Sequence, residues 1–114
     1  MSELIKNLPH STTLTLADQL SVQEGQVSSL TLVQQPGCKV TLFSIDTDEG
    51  MSSHAAPGDA LILCLEGRGE ITIEGVQHVL LPGQSVIMSA GAAHAVRALE
   101  PFKMLLTVVL PAQA

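Results

Sequence analysis

His54 and His94 are the side chains of this sequence best suited by type to chemistry near neutral pH, where imidazole gains or loses its proton. Between them lie a carboxylate, Asp59, and a thiol, Cys64. Imidazole, carboxylate and thiolate are also the donors that hold transition metals. Residues 60–66 read as a strand, in which successive side chains alternate, so Cys64 shares a face with Ala60 and Ile62 while Asp59 points away. One reading is a His54/His94/Cys64 site for zinc or copper. The other is that Cys64 is a small core hydrophobe, the usual state of a buried free cysteine. The histidines carry a similar choice. Each can be a core residue hydrogen-bonded to backbone or water, or the two can bind a polar or anionic ligand or relay a proton. The site is favoured, because polar groups inside apolar surroundings mark binding sites. His78 reads as a surface or edge residue.

Other patterns fail on inspection. Asp46, Asp48 and Gly50 hint at a calcium loop, but such a loop needs a donor at its fifth position, glycine at the sixth and glutamate at the twelfth. Those positions hold Gly50, Met51 and Pro57. Gly67-Arg68-Gly69 is too short for a dinucleotide fingerprint, and no helix follows it. No serine sits in a nucleophile elbow. Met51, Met88 and Met104 read as gap-fillers that could line a pocket.

The elements that must position these groups are strands. From Gly25 onward the chain alternates or runs apolar over short stretches, each closed by turn residues: Pro36-Gly37, residues 46–50, Gly67-Arg68-Gly69, Glu74-Gly75 and Pro82-Gly83. Residues 70–74 and 76–81 flank Glu74-Gly75 as a hairpin. Strands at this spacing predict an all-β sandwich or barrel over residues 25–114. Residues 1–24 are expected to form an edge segment packed on the barrel or on a partner, with a short strand at Leu14-Thr15-Leu16 and a helical turn within residues 16–20. The stretches ALILCL and MLLTVVL are apolar on both faces, whereas a strand with one wet face alternates. Their outer faces need cover, which predicts a homodimer.

Two stretches then resemble the cupin superfamily, in particular its small single-domain members. The first is GMSSHAAPGDALILCLEGRGE (residues 50–70) and the second is GQSVIMSAGAAHAVRA (residues 83–98). The family's first motif runs H-x-H, three or four residues, E, six residues, G; its second runs G, five residues, P-x-G, two residues, H, three residues, N. His54 and Gly67 match the first motif, and Gly83, Gly91 and His94 match the second. The resemblance implies a double-stranded β-helix, or jelly-roll barrel, covering nearly all of the chain after Gly25. It also implies a metal centre of three histidines and a glutamate, and here the sequence departs. Ala56 stands at the second histidine position and Ala60 at the glutamate position, while Ser89 and Ala98 replace the proline and asparagine. The expectation is a small-molecule pocket without a tightly held metal, with His54 and His94 as polar anchors and Ala56, Ala60, Ile62, Cys64 and Val96 as its lining. No cofactor is expected. The alternative is a metal-dependent enzyme of dioxygenase, isomerase or decarboxylase type, with Zn, Ni, Fe or Mn held weakly by His54 and His94. A third reading is an interaction protein with a vestigial pocket, since fold alone does not assign function.

Composition narrows the partners. The 114 residues make one domain, and with 46% hydrophobic and only 14% charged residues the chain is not a disordered one. Aromatic residues are 2%, Phe43 and Phe102, so stacking platforms for nucleic-acid bases are not expected. Eleven acids against five bases leave a net charge of -6, which repels phosphate backbones and anionic membranes. The start of the sequence lacks the apolar stretch of roughly 7–15 residues that a signal peptide needs. Residues 104–110 are far short of the ~20 that span a membrane. Cys38 and Cys64 form no CxxC pair and are read as free thiols of a reducing cytoplasm.

Overall fold

The apolar stretches become nine strands in a computed structural model that describes residues 3–112. They are β1 (Val27–Gln35), β2 (Cys38–Ile45), β3 (Gly50–His54), β4 (Asp59–Glu66), β5 (Gly69–Ile73), β6 (Val76–Leu80), β7 (Ser85–Met88), β8 (His94–Ala98) and β9 (Phe102–Val109). All pairings are antiparallel, in a five-stranded sheet of order β1-β2-β9-β4-β7 and a four-stranded sheet of order β3-β8-β5-β6. The all-β class and the two facing sheets are those the sequence predicts.

Register decides which residues meet inside. In the five-stranded sheet Phe43 and Ile45 lie opposite Met104 and Phe102, Cys64 opposite Met104, and Ala60 opposite Met88. In the four-stranded sheet Met51 lies opposite Val96, and Val96 opposite Ile71. The two inner faces close on Ile45, Ile62, Ile71, Phe102 and Met104, each at 0–1% exposure. Burying one such side chain stabilises the fold by ~1.5–3 kcal/mol, before the entropy of ordering is set against it. The alternation of β4 is complete: Ala60, Ile62 and Cys64 are buried, while Asp59 and Leu61 face out.

Two local expectations change. Leu14-Thr15-Leu16 forms no strand; a single 3-10 turn spans Leu16–Asp18. The free edge of β1 is met instead by Lys6, whose N–H donates to the Leu32 carbonyl, and by the Asn7 amide, which donates to Thr31. The following stretch crosses the outer sheet face, where Lys103 Nζ donates to Ala17 O and Ser44 Oγ to Leu20 O. Its bonds run to side chains on the sheet face rather than to a strand edge, so it joins no ladder. Conversely, β3 is a strand that hydrophobic patterning does not mark. It lies at a sheet edge, and only Met51 of its five residues is partly buried, so four polar or exposed positions hide the period.

The turn between β4 and β5 depends on a close approach. Gly67 has φ 77°, and a Cβ built there would sit 1.8 Å from the Pro101 carbonyl oxygen. Only glycine allows both the left-handed backbone and that distance. The turn carries the chain from one sheet to the other.

Candidate functional site

One end of the barrel is closed by the turn between β5 and β6 and by the loops 55–58 and 89–93. Glu74 (φ 47°) and Gly75 (φ 80°) are both left-handed, as a two-residue hairpin turn requires. Glu74 Oε1 accepts the Ala93 N–H at 2.9 Å, and its own N–H donates to the Ala93 carbonyl. Asp59 Oδ1 accepts the Ala90 N–H at 2.8 Å, and the Gly91 N–H donates to the Ala56 carbonyl. Two carboxylates and one carbonyl therefore pin loop 89–93, which leads into His94. Sequence reasoning missed these positioning roles of Asp59 and Glu74. Nothing in the one-dimensional spacing links either residue to that loop.

His54 ends β3 and His94 begins β8, and the two are register partners. Their Nε2 atoms stand 3.1 Å apart, with ring centroids at 4.3 Å and an interplanar angle of 62°. His54 Nδ1 is 2.9 Å from the Ser52 carbonyl and His94 Nδ1 is 3.2 Å from the Ala92 carbonyl. His94 is buried at 7% exposure, while His54 is open to solvent. A hydrogen count follows. Carbonyls only accept, so each Nδ1 donates, and a neutral imidazole has a single N–H. The three contacts together call for three hydrogens, one more than two neutral rings carry.

Inside this pair lies a cavity of ≈ 20 Å³, lined by Met51, Ile62, Met88, Val96, Met104 and Leu106 together with the two histidines. That is room for about one water molecule. Of the residues expected to line a pocket, Ile62 and Val96 do so beside His54 and His94. Ala60 and Cys64 are buried in the core and contribute nothing to this lining, and Ala56 lies half-buried in the rim loop. An organic ligand would therefore rest over the mouth rather than within the barrel. Cys64 Sγ donates to the Glu66 and Gly67 carbonyls, and burial pushes its thiol above the ordinary value, with the nearby Glu100 charge adding to it. It stays a protonated, packed thiol. His78 is half-buried on edge strand β6, opposite Ile71.

The residues do not fit the divalent centre implied by the sequence motifs. Among the described residues no group of three or more His, Cys, Asp or Glu comes together. Asp59 and Glu74 are committed to backbone N–H groups of the loop, and alanines stand where a third imidazole and a carboxylate would be. A divalent ion wants roughly four to six such donors.

Comparison with known proteins agrees with this architecture. Residues 41–109 match the Cupin domain family. A conserved protein of unknown function from Streptococcus pyogenes is 38% identical, with a TM-score of 0.95 over 98% of both chains. A cupin superfamily protein from Desulfitobacterium hafniense is 33% identical, with a TM-score of 0.90 over 94% of this chain and 98% of the other. A Cupin 2 conserved barrel domain protein from Leptotrichia buccalis is 37% identical, with a TM-score of 0.82 over 84% of this chain and 47% of its own. No curated protein matches the chain.

Proposed function

This chain belongs to the cupin superfamily, and from that premise we propose that it is a small-ligand-binding protein whose anchor is the His54–His94 pair, acting without a divalent metal. The observation that carries this reading is the Nε2–Nε2 separation of 3.1 Å, with both Nδ1 atoms turned to carbonyls. The two imidazoles, one buried and one open, bring their Nε2 atoms together at the barrel mouth, where they offer hydrogen-bonding partners to a small polar ligand such as a carboxylic acid or an alcohol. A metal-dependent enzyme is less well supported, because among the described residues no carboxylate joins the two imidazoles. The free thiols Cys38 and Cys64 favour a reducing compartment such as the cytoplasm. Among the described residues no helix is long and apolar enough to cross a membrane.

The test is a thermal-shift panel of small carboxylic acids and alcohols on wild type, His54→Ala and His94→Ala. A ligand at a hundredfold excess over its Kd stabilises the wild type by about 2.7 kcal/mol. Both variants should fold and lose that shift. Equal shifts in all three proteins would sink the reading.

We also propose that a second copy of the chain covers the outer face of the five-stranded sheet. Ile87, Leu61, Thr107, Val40 and Val33 form one outward row across its five strands, next to Ser85, Leu63, Leu105, Leu42 and Leu30, of which Leu42 is already fully covered by the chain itself. Ile87 is 65% and Val109 58% exposed, and both border an apolar hollow of ≈ 370 Å³. Each copy carries a net charge of -6, and these two rows hold no charged residue. The acid bordering the hollow is Asp59, beside Val109, and its carboxylate is taken up by the Ala90 N–H.

A further inference from the structure

An exposed strand edge is a template for another chain, so proteins cover, break or shorten it. Four strands end the two sheets, and three of them are blunted in this way. The edge of β1 is met by Lys6 and Asn7, the register of β3 breaks between Met51 and His54, and β7 is four residues long. β6 has none of these devices. Its residues, Val76–Leu80, keep an unbroken register with β5 and include no proline, lysine, arginine or acid. Ile73 and Val76 flank the two-residue turn and so exchange both of their hydrogen bonds. Alternation from that pair turns the N–H and C=O of Gln77 and Val79 away from β5, onto an edge that no described strand pairs. At the next such position the chain supplies its own partner. Gln84 Oε1 accepts the Leu81 N–H at 2.9 Å, and the Gln84 N–H donates to the Leu81 carbonyl.

A cleft of ≈ 430 Å³ opens beside this edge, between β6 and β7, lined by His78, Val79, Leu80, Gln84, Ser85 and Val86. His78 lies opposite the buried Ile71, so it faces the gap between the sheets. The bond from Leu81 commits Gln84 Oε1, and the NH2 of that amide remains as a donor beside the Ser85 hydroxyl. We propose that β6 is a docking edge for an extended segment of a partner protein, which adds to the four-stranded sheet as a further strand. The segment's backbone pairs with Gln77 and Val79. Its side chain opposite His78 enters the cleft, where the donors select an uncharged acceptor, the amide of glutamine or asparagine. Two positions to either side, its inward side chains lie against Val76, which is 58% exposed, and Leu80, so they are apolar. Glu70 stands in register with Val79 and Glu74 precedes β6, in a chain of net charge -6, so the segment is neutral or basic. This site is separate from the His54–His94 pair and does not depend on it.

The probe is a blocked heptapeptide, lysine-valine-threonine-glutamine-threonine-valine-lysine. It is titrated into the isotopically labelled full chain by NMR and, with a fluorescein label, followed by anisotropy. Binding should saturate, shift the amide signals of Gln77 and Val79, and slow their exchange with solvent. N-methylation of the two threonines, which face Gln77 and Val79, removes the peptide's donors and leaves the protein untouched. Affinity should fall by about tenfold or more. Val79→Pro should do the same, because it removes an N–H that β5 does not use, and an edge strand tolerates proline there. Valine in place of the central glutamine should weaken binding by about threefold or more. No saturation with the chain at millimolar concentration, indifference to N-methylation or to Val79→Pro, or shifts centred on His94 or Leu61 would each overturn the proposal. So would a peptide-free dimer that Val79→Pro dissolves, which would make a second copy the occupant. A central valine held as tightly as glutamine would overturn the cleft's part in recognition.

Discussion

The imidazole pair shows how little at the residue scale is a property of one residue. His54 and His94 are ordinary in sequence, and their chemistry comes from two carbonyls that hold the Nδ1 atoms and turn the Nε2 atoms inward. A second residue-scale device lies in the turn that follows β2. Asp46 Oδ2 accepts the Gly25 N–H at 2.8 Å and Oδ1 accepts the Thr47 N–H at 2.9 Å. The Gly25 bond, then the Thr47 bond, hold the Asp46 carboxyl below its ordinary value of 3.8. Because the folded value is depressed, this contribution to stability is present above pH 3.8 and is lost as pH falls through the folded value. Asp46→Asn should therefore lower the urea midpoint at pH 7. The gap to wild type should narrow when the same titration is run near the acid limit of folding; a gap independent of pH would assign the effect to packing instead.

At the scale of elements, the turns and loops do more to build the site than the strands they join. Loop 89–93 is tied to Asp59, Glu74 and Ala56, from three other parts of the chain. The Gly67 turn sets how β5 leaves β4. Gly67→Ala should cost at least about 1–3 kcal/mol from the left-handed backbone alone, with more from the contact to Pro101 O. Chemical denaturation would measure it. A cost of only a few tenths of a kcal/mol would mean that the turn can move away from Pro101. The strands themselves were legible where burial is one-sided or complete, as in β4 and β9, because side-chain alternation writes itself into the sequence. Edge strand β3 was not, since its exposed residues follow no period. Nor was the edge segment, whose pairing with β1 runs through Lys6 N–H and the Asn7 amide rather than through a hydrophobic pattern.

For the molecule as a whole, the open question of surface is the outer face of the five-stranded sheet. Residues 16–20 cross one end of it, over Ser44 and Lys103, and leave Leu61, Ile87 and Val109 at the other end exposed. A second copy seated there predicts a dimer by light scattering across micromolar concentrations. Ile87→Lys should shift that population to monomer while leaving the secondary structure intact, because Ile87 lies on edge strand β7 and faces away from the core. A wild type that remains monomeric at high concentration would refute the dimer.

The sequence by itself determined the class of fold, the single domain, the facing-in of Ala60, Ile62 and Cys64, and the facing-out of Asp59. All of these follow from period and turn chemistry, which are local. It also singled out His54 and His94 by type and motif spacing. Only the tertiary structure decided that their rings meet at 3.1 Å, that the barrel behind them holds space for one water rather than an organic ligand, and that three methionines surround that space. The reason is physical: these depend on register between strands far apart in the chain and on how large side chains fill the gap between two sheets. Neither is encoded in the spacing of any one segment.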